Sequence, residues 1–347
     1  MQVKKFLVTG GAGFIGSHVV RALLAHYDAP VRVLHLPKEN LLNLTGLNVE
    51  LFPGDLTNPA DVSAAVEGCD VVFHLAAVYA LWLPDMSLMQ RVNVDAANNL
   101  FRTCHQQGVK RVVYTSSFAC FAGQGLDTAC TEKSPFNLPE SYYSRTKYES
   151  HKLAEVWARK GLDVVIVCPT CPLGPGDVGP TPTGRMLVEA FNMPVLLGVN
   201  TDSNYIDVRD CAQGHLLALE KGRTGESYIL GGENYTHPDI VRRLQRIAGI
   251  HRRVVMVEPE WLRPMAKLGV WLAEHVTGKA PFTTEAELVI ARKGLVADAS
   301  KARHELGLQV RPIEETIHDA LLWFIEHGYI TDSEVINRFH GLQAQAA

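Results

Sequence analysis

The chain has 347 residues, of which 47% are hydrophobic and 20% charged, and its formal net charge is −4. This length and composition are typical of a globular enzyme with two lobes, and they exclude the basic stripe of a nucleic-acid-binding protein. No apolar run is long enough to predict a membrane span. The seven irregularly spaced cysteines favour reduced thiols in the cytoplasm.

The first half of the chain alternates short apolar runs with stretches of helical periodicity. Strands are predicted at 5–9, 31–36, 49–52, 70–75, 112–116 and 164–168, and helices after residue 15, at 93–105 and at 142–160. Continuous apolar strands joined by helices indicate a parallel sheet covered on both faces, and right-handed crossovers make it doubly wound. We predict an α/β fold in which residues 1–170 form a Rossmann-type dinucleotide-binding domain.

The sequence changes character after residue 169. Five prolines and four glycines fall within 169–184, so no regular structure is predicted there. Short strands at 205–208 and 227–230 flank a helix at 211–219, and we predict that 205–230 returns to the dinucleotide-binding domain. A smaller, mostly helical substrate-binding lobe is predicted from 171–204 and 231–340, with a frayed tail at 341–347.

A glycine-rich loop joins the first strand to the first helix. It reads G-x-x-G-x-x-G at Gly10, Gly13 and Gly16, with Phe14 and Ile15 between the last two. A helix N-terminus offers unpaired N–H groups to a pyrophosphate, and glycine lets the backbone approach the phosphates. Strand, loop and helix in this order predict dinucleotide binding. The alternative is a tight turn that binds nothing.

The residues after the second strand discriminate between the two nicotinamide cofactors. An acid there binds the ribose 2′-OH of NAD, whereas a base accommodates the 2′-phosphate of NADP. The first acid is Glu39, and Arg32, His35 and Lys38 lie close by. We predict NADP(H), contacted by Lys38. The alternative is that Lys38 is a solvated loop charge and that NAD(H) also binds.

Later strand ends provide further candidate contacts with the cofactor. These contacts are predicted for Asp55, Leu56, Leu75, Ala76, Ala77 and Pro169. Asp55 and Leu56 would bond and pack the adenine, although an Asp in such a loop also commonly caps a turn. The small residues after the fourth strand would let the cofactor pass closely.

Tyr143 and Lys147 lie four residues apart, on one face of a predicted helix. A free tyrosine has a pKa near 10 and is a poor base, but a neighbouring ammonium together with an oxidised nicotinamide would lower that pKa. Ser117, after the fifth strand, could donate a hydrogen bond to a substrate oxygen. Y-x-x-x-K alone is common by chance, but its position after the glycine loop favours hydride chemistry on an alcohol or ketone.

Taken in order, these motifs resemble the extended short-chain dehydrogenase/reductase family. The resemblance runs through residues 9–16, 54–56, 74–77, 114–117, 143–147, 174–177, 205–210 and 323–324. It implies a catalytic set of Ser117, Tyr143 and Lys147, with Asn93 in a supporting, proton-relaying position, and that Lys147 also contacts the nicotinamide ribose. It also implies a homodimer.

Within the family the chain resembles the dihydroflavonol reductase-like branch, which includes 3β-hydroxysteroid dehydrogenases, and the group labelled hopanoid-associated sugar epimerases. Epimerases of the family usually carry R-x-x-N after the sixth strand, where this chain has Cys168 and Cys171. An apolar carbonyl substrate is therefore expected. Substrate contacts are predicted for Tyr79, Trp82, Phe118 and Arg185, although Arg185 could instead form a structural ion pair.

Three interpretations of function remain open. The first is an NAD(P)-dependent oxidoreductase acting on a small carbonyl or alcohol, the second a sugar epimerase with tightly bound NAD, and the third a nucleotide-sensing protein without turnover. An intact Ser117, Tyr143 and Lys147 set argues against the sensor. The histidines show no paired metal-ligand spacing, so no metal site is predicted.

A later helical segment carries an apolar stripe. The stripe comprises Trp261, Met265, Leu268, Trp271 and Leu272. Core or lid packing is the default interpretation, and a surface for a membrane or a lipid substrate is the alternative.

Overall fold

The computed structural model describes residues 2–193 and 195–346, in which strands and helices alternate. The strands are β1 (Phe6–Thr9), β2 (Val31–His35), β3 (Glu50–Pro53), β4 (Val71–His74), β5 (Arg111–Thr115), β6 (Val164–Pro169), β7 (Cys171–Leu173), β8 (Val195–Val199), β9 (Asp202–Asp207), β10 (Ser227–Leu230), β11 (Glu233–Thr236) and β12 (Arg253–Val257). The helices are α1 (Phe14–His26), α2 (Pro59–Val66), α3 (Ser87–Met89), α4 (Ala97–Gln106), α5 (Tyr142–Arg159), α6 (Pro182–Asn192), α7 (Val208–Lys221), α8 (His237–Ala248), α9 (Pro259–Leu272), α10 (Glu285–Lys293), α11 (Ile313–Glu326) and α12 (Ser333–Ala346). Leu42–Leu44 and Phe118–Cys120 are 3-10 turns, and Gln90–Ala96, Ala273–Thr277 and Ala302–Leu306 are π-helical.

Among the described residues, seven strands form a parallel sheet in the order β10-β6-β5-β4-β1-β2-β3. Neighbouring residues of a strand enter different cores, as in β5, where Val112 and Tyr114 face one cluster and Val113 the other. Both faces are therefore buried, which explains the continuous apolar strands. The predicted doubly wound α/β fold is confirmed.

The chain after β6 builds a second structural unit. Strands β7, β9 and β11 form a small sheet, and β8 pairs with β12. Helices α6, α8, α11 and α12 supply a third hydrophobic core that includes Phe191, Leu244, Leu321, Phe324 and Phe339. β9 belongs to this unit, whereas α7 packs against α1 and β10 joins the main sheet. The domain boundaries drawn from the sequence stay predictions.

The expectation of no regular structure over 169–184 is wrong at both ends. β7 pairs with β9, and Pro172 is tolerated because β7 is an edge strand. α6 begins at Pro182, a favoured first helical position, and Thr181 caps it by accepting a hydrogen bond from Gly184 N. Proline therefore marks the boundaries of these elements.

One further expectation for the C-terminal half differs from the structure, and another stays a prediction. α12 continues to Ala346 and Ala347 lies outside the described residues, so fraying of 341–347 stays a prediction. The apolar stripe of α9 does not pack into a core, because its large side chains are exposed while the small Ala266 is buried. Within residues 2–193 and 195–346, no helix is long and apolar enough to cross a membrane.

Candidate active site

A cavity of about 860 Å³ lies at the carboxyl ends of the parallel strands, where ligands bind in such sheets. Its volume is within the range of cofactor and substrate sites. Sixteen predicted site residues line it: Gly10, Gly13, Phe14, Ile15, Gly16, Asp55, Leu56, Leu75, Ala76, Ala77, Tyr79, Ser117, Phe118, Tyr143, Lys147 and Pro169. The fold thus brings together residues from the whole first half of the chain.

The glycine loop has the geometry of a phosphate cradle. A Cβ on Gly16 would lie 2.0 Å from the Gly10 carbonyl oxygen, and one on Gly10, at φ 70°, would lie 2.7 Å from Ala76 N. Gly13 is the N-cap of α1 and supplies no side chain to its N–H groups. Those donors and the helix dipole suit a dinucleotide pyrophosphate. The residues present therefore fit a nicotinamide dinucleotide.

The end of β2 presents an acid and a histidine, but no lysine or arginine, to the cavity. His35, Leu36 and Glu39 line it, whereas Lys38 does not. The Glu39 carboxylate accepts a hydrogen bond from Leu36 N at 3.0 Å. Arg32 is buried, where it pairs with Glu50 and donates to backbone carbonyls of α2 and the residues after it. Of the three bases noted in the sequence, only His35 borders the site.

Tyr143 and Ser117 meet at the other end of the cavity. Tyr143 lies in the first turn of α5, which begins after Ser141 because the Ser141 hydroxyl accepts a hydrogen bond from Ser144 N. Ser117 follows β5, and its hydroxyl accepts from Ala119 N at 3.2 Å. The Tyr143 ring packs against Tyr79, with ring centroids 4.7 Å apart. The side chains of Tyr143 and Ser117 thus lie in the same wall of the cavity.

Burial sets the protonation state of Tyr143. It raises the pKa of the phenol to about 12, and the hydrogen bond with Ser117 opposes this rise. The ammonium of Lys147 alone does not bring this pKa toward neutrality. Tyr143 is therefore protonated at neutral pH, which suits a proton donor.

Lys147 is held by groups on β5. Its Nζ donates to Thr115 O at 2.8 Å and lies 3.4 Å from the Tyr114 hydroxyl, which is 2.6 Å from the Ser150 hydroxyl. Ser150 donates to main-chain carbonyls of α5, so Tyr114 donates to Ser150 and keeps a lone pair for the lysine. Burial lowers the pKa of Lys147 to about 8. Lys147 is thus fixed in one position and sensitive to mildly alkaline pH.

Asn93 shapes the loop that carries Tyr79. Its Oδ1 accepts from Val78 N at 2.7 Å, and its Nδ2 donates to Val78 O at 3.0 Å and to Thr146 Oγ1 at 3.1 Å. Both polar atoms of the amide are therefore engaged in holding this loop against α5. These contacts make Asn93 a positioning residue, and the proton-relaying role stays a prediction.

The structure separates Trp82 and Arg185 from the main cavity. Trp82 lines a shallow second pocket of about 310 Å³ beside Trp271. Arg185 is exposed on α6, where burial raises the pKa of the neighbouring Asp177 and Glu189 carboxyls and the charge of Arg185 opposes that rise. Both the substrate contact and the structural ion pair of Arg185 stay predictions.

Sequence reasoning missed the wall that distant elements contribute. The additional lining residues include Leu81, Leu88, Arg91, Met186, Glu287 and Ile290. Those on α10 lie more than a hundred residues beyond Tyr143 and carry no motif. Ile290 of α10 packs against the core on one face of the main sheet, and this long-range packing places α10 at the cavity. The wall is mostly apolar, with Arg91 and Glu287 as its charged groups.

Comparisons with known proteins agree with this geometry. The family model described as "NAD dependent epimerase/dehydratase family" matches residues 6–231. A Synechocystis sp. protein named provisionally as a dihydroflavonol 4-reductase is 37% identical over 94% of this chain and 96% of its own length. Sterol demethylase protein B of Methylococcus capsulatus is 32% identical over 93% of this chain and 99% of its own.

A solved structure extends the likeness to three dimensions. The crystal structure of gox2253 covers 94% of this chain and 100% of its own, with 36% sequence identity and a TM-score of 0.83. The family match spans the glycine loop, Ser117 and the Tyr143 and Lys147 pair. The chain therefore belongs to the NAD dependent epimerase/dehydratase family, whose members are extended short-chain dehydrogenases/reductases.

Proposed function

We propose that the protein is an oxidoreductase that interconverts a carbonyl and an alcohol on a small, predominantly apolar molecule. The observation that carries the proposal is Tyr143 beside Ser117 in a mostly apolar wall, in a cavity that continues to the glycine loop. One relative is named for a dihydroflavonol and another carries the word sterol. Both words describe molecules with several fused or linked carbon rings, and ring faces of this kind suit a mostly apolar lining.

A nicotinamide dinucleotide, when bound, would supply or accept the hydride. The glycine loop, Glu39 and Lys147 would hold it. In the reductive direction Tyr143 donates its phenolic proton to the substrate oxygen, and the Ser117 hydroxyl donates a hydrogen bond that holds the oxygen in place. A bound apolar substrate would displace water from the apolar wall, so both donors would then act in a medium of lower dielectric constant.

The contacts after β2 support NAD(H) as the cofactor. Glu39 borders the cavity where an acid binds a ribose hydroxyl, and Lys38 does not. The NADP(H) preference drawn from the sequence stays a prediction. Arg32 does not support it, because its guanidinium already donates hydrogen bonds to Glu50 and to backbone carbonyls.

Nucleotide analysis tests the function and the cofactor together. The purified protein would be denatured, the released nucleotide identified, and the apoprotein titrated with NADH and NADPH. We expect an exchangeable site that prefers NADH, and turnover of apolar ketones or aldehydes. Tightly held NAD⁺ without such turnover would favour the epimerase, and binding of neither nucleotide would refute the proposal.

Paired variants separate the two cofactor assignments. Glu39→Gln should weaken NADH binding relative to NADPH, because the amide keeps an acceptor for Leu36 N but removes the charge facing the ribose. Lys38→Gln, the matched control, should leave the ratio unchanged. A selective loss of NADPH binding in Lys38→Gln would restore the NADP(H) assignment.

We further propose that the enzyme is a cytoplasmic homodimer formed through α4 and α5. These helices pack side by side, and the indole N–H of Trp157 donates to Asn98 Oδ1 at 2.7 Å across them. One side of the pair presents exposed residues such as Asn98 and Lys152. Light scattering on the purified protein would give the mass, and a monomer at micromolar concentration would refute the dimer.

A further inference from the structure

The most exposed apolar side chains of the described residues cluster on α9 and the segment that follows it. This set, called here the α9 face, comprises Trp261, Met265, Leu268, Trp271, Leu272, Val276 and Phe282. Trp261 is 79% exposed, and Val276 and Phe282 are each 67% exposed. The inward side of α9 carries the small Ala266 with the half-buried Leu262 and Val270, whereas the largest apolar side chains of this helix are exposed.

The size of the α9 face sets it apart from scattered surface hydrophobic residues. Seven large side chains within 261–282 are exposed by 37% to 79% and together offer roughly several hundred Å² of apolar surface, the area at which a patch signals an interaction site. Tryptophan is enriched at membrane–water interfaces because its ring is apolar and its N–H stays hydrated.

The α9 face lies beside the active-site cavity. Trp271 shares the shallow pocket with Trp82 and Leu81, and Leu81 also lines the main cavity. α10, which packs against α9, contributes Ile290 to the main cavity. One layer of side chains therefore separates the exposed apolar surface from the apolar interior of the site.

Charged residues beside the α9 face favour one kind of binding partner over another. Residues 259–293 contain five Lys or Arg against four Glu, a net charge of +1 in a chain whose net charge is −4. Arg263 and Lys267 are 59% and 62% exposed and share one carboxylate, Glu285, at 3.5 and 3.8 Å. A second copy would bring the same net positive charge to this margin and cover the shallow pocket, whereas an anionic bilayer attracts the exposed Arg263 and Lys267.

We propose that the α9 face docks on the surface of an anionic lipid bilayer, with the helix lying in the plane of the interface. Its indole and aliphatic side chains would enter the headgroup region, and Arg263 and Lys267 would meet lipid phosphates. The inference does not depend on the proposed reaction, because binding is measured without turnover.

Vesicle sedimentation tests the proposal with the full-length protein. Sucrose-loaded vesicles of phosphatidylcholine and phosphatidylglycerol in equal parts would be compared with vesicles of phosphatidylcholine alone. We expect the protein to sediment with the mixed vesicles and less with the neutral ones. Trp261→Ser combined with Leu268→Ser should lower the partition coefficient at least tenfold.

The matched control is Leu42→Ser combined with Leu51→Ser, which removes two leucines exposed by 50% and 46% outside the cavity lining. It should partition within twofold of the unmodified chain. Phe282→Ser, outside the helix, gives a second variant that leaves α9 intact and should also weaken binding. Circular dichroism would verify that each variant is folded.

Three outcomes would overturn the proposal. One is that the unmodified protein stays in the supernatant with mixed vesicles. Another is that the Leu42 and Leu51 control loses as much binding as the Trp261 and Leu268 variant. The third is a result from light scattering in the absence of lipid. If the unmodified protein is a dimer and the Trp261 and Leu268 variant is a monomer, the α9 face is a subunit interface.

Discussion

Replacing Tyr143 by phenylalanine is the sharpest test of the proposed chemistry, because it removes one oxygen atom and little else. The phenyl ring would keep the packing against Tyr79, whose ring centroid lies 4.7 Å away. Ser117 would keep its hydrogen bond from Ala119 N. The change therefore removes the proton donor without opening a cavity.

The expected loss follows from the protonation state of the tyrosine. Burial raises the pKa of Tyr143 to about 12, so nearly every molecule carries the proton at pH 7 and the variant loses the full effect of the acid. General acid catalysis contributes about 10²- to 10⁴-fold in rate, equivalent to roughly 3–5 kcal/mol of barrier. We expect kcat for carbonyl reduction to fall within that range, with cofactor affinity changed less than about threefold, because packing and the glycine loop are untouched.

Turnover would be followed by the absorbance of NADH with the best ketone or aldehyde from a substrate screen, and cofactor affinity by nucleotide fluorescence. Tyr142→Phe is the matched control, since Tyr142 stacks on Arg145 and does not line the cavity. It should retain normal activity. Turnover of Tyr143→Phe within twofold of the unmodified enzyme, or an equal loss in Tyr142→Phe, would refute the assignment.

Three further predictions concern the cofactor loop, the lysine and acid stability. Gly16→Ala would place a Cβ 2.0 Å from a backbone oxygen, so the affinity for NADH should fall more than tenfold. The control Gly179→Ala, whose Cβ would lie 3.8 Å from its nearest neighbour, should bind NADH normally. Equal affinities of the two variants would contradict a phosphate-binding role of the glycine loop. Tyr114→Phe removes an acceptor 3.4 Å from Lys147, so the pKa of the lysine, about 8, should fall further in an NMR titration, and an unchanged or higher value would contradict the contact. Burial lowers the pKa of three histidines: His18 and His215 to about 4, and His74 to about 3. Below about pH 6.5 these histidines bind protons in the unfolded state but not in the folded state. The free energy of unfolding in urea should therefore fall by about a few kcal/mol from pH 6.5 to 4, and by less in His18→Gln. A free energy that stays constant or rises over this range would contradict the prediction.

The sequence by itself predicted the sheet and most of the nucleotide half of the site. Short apolar runs separated by helical periodicity can bury both faces of a strand only in a covered parallel sheet. Such a sheet aligns strand ends, so Gly10, Asp55, Ala76 and Ser117, each just after a strand, had to meet at one edge. The order of strands and motifs along the sequence was therefore enough to predict that these residues lie together.

Only the tertiary structure decided which charged residues reach the cavity. Lys38 and Glu39 are neighbours after β2, yet only Glu39 lines the site. Arg32 looked available in the sequence, but it reaches Glu50 on the neighbouring strand and backbone carbonyls at the end of α2. The direction of a side chain in a loop depends on contacts that residue spacing does not encode.

The substrate wall and the α9 face likewise depended on packing between distant segments. Ile290 lines the cavity because α10 lies over the sheet, and no motif near it indicates this position. Trp261 and Leu268 have the spacing of a buried stripe, but they are exposed because Ala266 occupies the inward side of α9. Periodicity determines which residues share a helix face, whereas the neighbours of that helix decide whether the face is buried.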